Sequence, residues 1–278
     1  MQIFLINLDR RPDRLEQVKT QLAQLGLEFQ RISAVDGSQL PADYPLLNKA
    51  RFLLEQKKPA VIGEIGCAES HRLIWKQMIT NNLPFALVLE DDITLSPKLT
   101  EFLNTKTYEA YDFVNLSSTE PYHLDPTALK SLLNQQILER PLVWQSNRRL
   151  WRKIEWRRRW RIFKLHPVNQ DTILCECDPA PALGSGYILS LTAAKSFLAQ
   201  SNQLYFPIDL VWRYSDGLLR QAFLSQPLIE QTRGDSDIPG RYQGYRLTTW
   251  QSIKRFFVKS RRWQRRWAVA RLYKLKTL

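Results

Sequence analysis

Short apolar runs alternate along this chain with stretches of helical spacing, and few folds accommodate that alternation. QIFLINL (2–8) is an apolar run suited to a buried strand. After Asp9, Pro12 opens a helix striped by Leu15, Val18, Leu22 and Leu25, which Gly26 can end. FQRISAV (29–35) is a second strand, closing at Asp36-Gly37. Strand, helix, strand is the start of a parallel sheet. Residues 38–62 carry Pro41, Pro45 and Pro59 and read as irregular; 63–79 read as a helix with Ile65, Ala68, Ile74, Trp75 and Met78 inward. FALVLE (85–90) and YDFVNLS (111–117) are further strands, and 118–147 is expected to be loop and helix. PALGSGYILS (181–190) is a small-residue loop entering a strand, followed by a helix at 191–201. From Pro207 to Leu224 the apolar residues Leu210, Tyr214, Leu218 and Phe223 suggest another helix, and Leu228–Gln231 a last strand. The class is α/β, in which ligands bind beyond the carboxyl ends of the strands.

At 278 residues the chain suits one large domain, or one with extensions. Its 44% hydrophobic and 24% charged residues exclude a disordered chain. No apolar run approaches the roughly 18 residues of a membrane span. MQIFLINLDRRPDR lacks a basic segment before its apolar run and reads as a strand rather than a signal peptide. Three cysteines, Cys67, Cys175 and Cys177, make no disulfide scaffold and fit a reducing cytoplasm.

The charge is uneven. Lys and Arg number 40 against 27 acids, a net of +13. Residues 148–164 carry nine basic residues and one acid, and 246–278 carry eleven basic residues and no acid. Subtracting both from +13 leaves −6, so the remainder is mildly acidic, and a domain at 1–245 carries a basic insert near 148–164 and is followed by a basic helical tail (246–278). Trp250, Ile253, Phe257, Trp263 and Trp267 have helical spacing within that tail. An aromatic face beside a Lys/Arg face suits an anionic membrane surface. Two other readings are that the apolar faces pack on the domain and that Arg and Trp meet nucleic acid. The acidic remainder argues against nucleic acid.

The sharpest local feature is Leu-Val-Leu-Glu90-Asp91-Asp92, three acids at the end of a buried strand. Their repulsion calls for a positive partner, and carboxylate oxygens suit Mg²⁺ or Mn²⁺. Alternatively, the acids cap the following turn.

IFLINLDRRPDR (3–14), AVDG (34–37), GEIGCAESHRLIW (63–75), LPFALVLEDDITL (83–95), GSGYILS (184–190), FPIDLVWR (206–213) and PLIEQTRGDSDI (227–238) stand in this order. In these seven blocks the chain resembles glycosyltransferase family 25, the bacterial lipopolysaccharide and lipooligosaccharide sugar transferases related to collagen galactosyltransferases. The resemblance implies a GT-A-like, Rossmann-like fold and inverting, metal-dependent transfer of a hexose, galactose or glucose, from a UDP-sugar. The implied acceptor is a lipopolysaccharide or surface glycan; the basic segments, outside the seven blocks, and the sparse cysteines point to a cytoplasmic protein peripheral to the inner face of the membrane.

The same resemblance implies donor-binding roles for Asn7, Leu8, Arg14, Asp36, Ser70, His71, Glu90 and Asp91, with Gly184, Ser185, Gly186 and Tyr187 lining a sugar pocket. Asp92 is the expected ligand of Mn²⁺ (or Mg²⁺), joined by Gln231, where the collagen relatives are expected to carry histidine. Ser185 stands where Ala is more usual. An inverting transfer needs a base for the acceptor hydroxyl, and Asp209 in the Pro-x-Asp block is chosen over Asp216 and Asp237. Asp36 and Asp209 also read as turn and helix-cap residues, and His71 as a satisfied core histidine. Three rival readings are a protein hydroxyl as acceptor, a basic Trp-rich nucleic-acid-binding protein and an inactive transferase-like scaffold.

Overall fold

The computed structural model describes residues 1–41, 43–122, 124, 126–133, 142–143, 160–232, 244–260 and 262–274. Strand β1 (Gln2–Asn7) leads into helix α1 (Pro12–Gln24), β2 (Gln30–Ser33), α2 (Lys49–Gln56), α3 (Ile62–Thr80), β3 (Phe85–Glu90), β4 (Ile93–Leu95) and α4 (Leu99–Thr105). Next come β5 (Phe113–Asn115), α5 (Pro126–Leu132), β6 (Leu142–Val143), β7 (Arg161–Pro167), β8 (Ile173–Asp178), β9 (Gly186–Ser190) and α6 (Leu191–Gln200). Helix α7 (Val211–Tyr214), β10 (Gln221–Leu224), β11 (Ile229–Gln231), α8 (Thr249–Ser260) and α9 (Arg262–Leu272) complete the order.

Among the described residues, nine strands form one mixed sheet in the order β2-β1-β3-β9-β5-β10-β8-β7-β6. β1 pairs in parallel with both β2 and β3, while β9 runs antiparallel between β3 and β5. Its central strands are apolar on both faces. Phe4, Ile6, Ala86 and Val88 join a core with α3 and α6; Ile3, Leu5, Leu87 and Leu89 join another with Val18 and Leu22 of α1 and Phe102 of α4. Helices on both sides of the sheet explain why IFLIN and ALVL are continuous apolar runs. The α/β fold expected from the sequence, GT-A-like in kind, is the one observed.

α1 begins with Pro12 and Asp13, residues that suit a first turn, and ends before Gly26, whose φ of +66° only glycine adopts easily. α3 is brought against the 34–37 loop by two glycines. A Cβ on Gly66 would lie 2.5 Å from the Val35 carbonyl oxygen, and one on Gly37 would lie 2.4 Å from that of Ile62. Backbone therefore packs on backbone, and the Ser70 hydroxyl accepts from the Val35 N–H at 2.8 Å while donating to Gly66 O.

Three expectations need correction. Residues 38–62 contain a helix, α2, started by Asn48, whose side chain accepts from Arg51 N–H. The run after Pro207 is not one long helix. A 3₁₀ turn at Ile208–Leu210 and the single turn of α7 are followed by Gly217 at φ +84°, and QAFL then enters the sheet between β5 and β8. Glycine in the left-handed region breaks the helix, and a four-residue buried run cannot be told from a helix segment by spacing. Third, the last residues of 148–164 belong to the domain itself: Ile162 and Phe163 are buried in β7. The reading of 148–159 lies outside the described residues.

The C-terminal helices are not detached from the domain. Arg265 of α9 holds Asp178 through two hydrogen bonds, at 2.5 and 2.8 Å, and Tyr273 stacks on Phe163 at 3.8 Å.

Gly66→Ala is expected to lower stability by about 1–3 kcal/mol, the usual range for overpacking. Thermal or urea denaturation reads it; an unchanged midpoint would mean that the α3–loop contact has room to spare.

Candidate active site

The carboxyl ends of β1 and β3, the start of α3, and the loops at 34–38, 183–184 and 207–209 surround one cavity of about 680 Å³. Its wall includes Leu8, Arg14, Asp36, Ser70, His71, Glu90, Asp91, Asp92, Asp209 and Gln231. Ten of the residues singled out in the sequence thus converge on one space, from segments as far apart as residues 8 and 231. Gly184 lines it as well.

Asn7, Ser185, Gly186 and Tyr187 are absent from that wall. Asn7 is buried and fully engaged: its amide donates to Asp91 Oδ2 (2.7 Å) and Arg11 O (2.9 Å) and accepts from Arg31 Nε (3.0 Å). It holds an acid in place rather than facing a ligand. Gly186 makes room for β11, since a Cβ there would come within 2.3 Å of Ile229 Cδ1. Tyr187 is buried behind His71.

The acids are held unequally. Asp91 takes the Asn7 hydrogen bond and faces Arg14 Nη1 at 3.5 Å; burial still raises its carboxyl, against the pull of Asn7 and Arg14. Asp92 accepts from Gln231 Nε2 at 2.9 Å through Oδ2, and its buried Oδ1 has no hydrogen-bond partner among the described residues. Burial, then the charge of Glu90, pushes Asp92 up to about 7. An orphaned, charge-crowded carboxylate oxygen in a cavity is what a hard divalent cation satisfies, so Asp92 fits Mg²⁺ or Mn²⁺.

Cys67, His71 and Glu90 form a second cluster, with ligand atoms within 4.8 Å of one another. It fits a cation less well. Trp75 Nε1 donates to the Tyr187 hydroxyl (3.2 Å), which is hydrogen-bonded to His71 Nδ1 (2.8 Å). His71 Nε2 lies 3.3 Å from Glu90 Oε1. Both ring nitrogens of His71 are thus already engaged, and a metal on Nε2 would have to displace its contact with Glu90.

Arg10 forms an ion pair with Asp36, whose other oxygen accepts from Ser38 N–H and hydroxyl. The 180–184 loop is strapped by Asn115, whose amide donates to Leu183 O at 2.8 Å, and by Trp212 Nε1, which donates to Pro181 O at 2.9 Å. Leu183 sits at φ +83°, a costly conformation for a branched residue that this strapping maintains. The reading from sequence missed these supports. Asn115, a polar residue inside a buried strand, was their one visible signal.

A family model described as "Glycosyltransferase family 25 (LPS biosynthesis protein)" matches residues 1–212. The chain belongs to glycosyltransferase family 25. The enzyme class expected from the seven blocks is therefore the class of its family. Among its relatives, a glycosyltransferase 25 family member of Drosophila melanogaster is 40% identical over 100 residues, 34% of this chain and 16% of that protein. One from Aedes aegypti is 41% identical over 100 residues, again 34% and 16%. Human procollagen galactosyltransferase 2 is 35% identical over 97 residues, 33% of this chain and 16% of that protein. The matches thus span about a sixth of the length of these relatives.

Because the Asp92 value lies above that of an unfolded aspartate (about 3.9), ionising Asp92 opposes folding. Its contribution to stability is full below pH about 4 and is lost as pH rises through about 7. In metal-free protein Asp92→Asn is expected to melt higher than the parent at pH 8, with the gap closing towards pH 4. Mn²⁺ should raise the parent's Tm and leave the variant's unchanged. A gap that does not vary with pH, or equal responses to Mn²⁺, would contradict this account of Asp92.

Proposed function

We propose that this chain moves a hexose, galactose or glucose, from a UDP-sugar to a hydroxyl of a lipopolysaccharide or surface glycan, with inversion and with a divalent metal. The observation that carries the reading is one cavity holding an acid cluster, two arginines and a separate carboxylate, Asp209, on another loop. The donor nucleotide lies along Leu8, Asp36 and Arg14. Glu90, oriented by His71, and Asp91, oriented by Asn7, address the donor's hydroxyls. Asp92, with Gln231 beside it, holds Mn²⁺ or Mg²⁺, which when bound offsets the charge of a diphosphate. Arg10 and Arg14 add positive charge on the same wall.

In the transfer the acceptor oxygen attacks the anomeric carbon from the side opposite the diphosphate. Asp209 takes the hydroxyl proton as the new C–O bond forms and the bond to the diphosphate oxygen breaks. Inversion follows from a single displacement. Most of the acceleration comes from alignment of the two substrates and from positive charge around the leaving group. The protein works in the cytoplasm, peripheral to the inner face of the membrane, where a lipid-linked acceptor meets a soluble donor.

A second reading keeps the chemistry and changes the acceptor to a protein hydroxyl. The relatives named procollagen galactosyltransferase favour it.

UDP release from a panel of UDP-sugars, with a glycan acceptor and Mn²⁺ or EDTA, tests the proposal. One UDP-hexose should turn over with Mn²⁺ and not with EDTA. Asp209→Asn should lower kcat by about 10²–10⁴, the range for losing a general base, while UDP-sugar still raises its Tm. Turnover unaffected by EDTA and by Asp209→Asn would overturn both assignments; transfer to a peptide instead of a glycan would favour the second reading.

A further inference from the structure

Helix α8 wears its amphipathicity inside out. Its start is fixed by a reciprocal cap: Thr248 N–H donates to Gln251 Oε1 at 2.9 Å, and Gln251 N–H to Thr248 Oγ1 at 3.2 Å. The side resting on α2 includes Arg255, whose guanidinium donates to the Glu55 carbonyl at 3.4 Å. Just before the helix, Tyr245 N–H is bonded to Lys57 O at 2.9 Å. At about 100° per residue, Trp250, Ile253, Phe256 and Phe257 lie within an arc of about 120° on the other side. Their exposures are 64%, 46%, 74% and 67%.

A soluble domain normally buries such a face and turns its charges outward. The next helix, α9, does pack, burying Val269 and Ala270 although its Trp267 is 56% exposed, while α8 turns all four of these apolar residues to solvent. The surrounding charge identifies the occupant. Residues 246–278 hold eleven basic residues and no acid, and Lys254 stands over the Trp250 ring at 5.4 Å. An aromatic wedge in a cationic field is complementary to an anionic lipid surface, where rings enter the interface and lysines meet headgroups. Among the described residues no helix is long and apolar enough to cross a membrane, so this contact lies on the surface.

We propose that the Trp250–Ile253–Phe256–Phe257 face of α8 seats the protein on an anionic bilayer. The seat is joined to the cavity. Arg265, in the next helix, donates to the Trp212 carbonyl at 3.1 Å as well as to Asp178, and Trp212 follows Asp209 by three residues. The helix that follows α8 is therefore anchored next to the segment carrying Asp209.

Co-sedimentation of the full chain with phosphatidylcholine vesicles, with and without phosphatidylglycerol, tests this independently of any sugar transfer. Binding should require the anionic lipid and weaken with salt. Phe256→Ser/Phe257→Ser, which leaves the charge intact, should reduce it by about tenfold or more without shifting the Tm. Brominated lipid should quench part of the tryptophan emission, and Trp250→Leu should remove that part. Equal partition onto both vesicles, or anionic binding untouched by the double variant, would overturn the proposal. So would a dimer in light scattering that the double variant dissociates, because a second copy would then be the occupant.

Discussion

Three carboxylates in a row at the end of a buried strand repel one another, and much of the molecule around the cavity is arranged to hold them there. Glu90, Asp91 and Asp92 stay in place because β1 and β3 run side by side, which brings Asn7 to Asp91. Arg14 reaches in from the first turns of α1. Tyr187 and His71 fix the orientation of Glu90 from behind, and Gln231 arrives on a two-stranded ladder with β4 to meet Asp92. Each acid has its own restraint, and only Asp92 keeps a buried oxygen without a partner among the described residues. Of the three, Asp91 faces a cationic side chain, Arg14, while Asp92 is met by the Gln231 amide.

Another part of the wall is carried by loops. Gly184 stands beside Asp209, where an added Cβ would meet the aspartate side chain at 3.4 Å. Trp212 and Asn115 fasten the loop that carries Gly184 through its carbonyls. The hydrogen bonds that fasten this side thus come from two buried side chains.

Much of this was legible in the sequence because the strands are long apolar runs with acids at their ends. IFLIN, FALVLE and the acid triplet mark neighbouring strands of the sheet and one wall of the cavity. Spacing failed where a short strand imitates a helix, as from Leu210 to Leu224, and where prolines hid a helix, as at Lys49–Gln56. Gly186 and Tyr187 show a subtler limit. Small and aromatic residues beside a pocket motif suggested a sugar-facing wall, yet Gly186 admits Ile229 and Tyr187 works through His71. Residue type announces that a position is constrained; it takes the third dimension to show by what. The tail makes the same point: Trp267 of α9 is exposed like the aromatics of α8, and the residues that α9 buries are the small Val269 and Ala270.

We propose that the unsatisfied oxygen of Asp92 is where a metal and a UDP-sugar meet. Anomalous diffraction at the manganese edge from crystals grown with Mn²⁺ and UDP tests it most directly. The account predicts one strong peak beside Asp92, with the UDP diphosphate next to it inside the cavity and Asp209 facing the open side. A peak between Cys67, His71 and Glu90 with Asp92 bare, or UDP bound elsewhere, would contradict it.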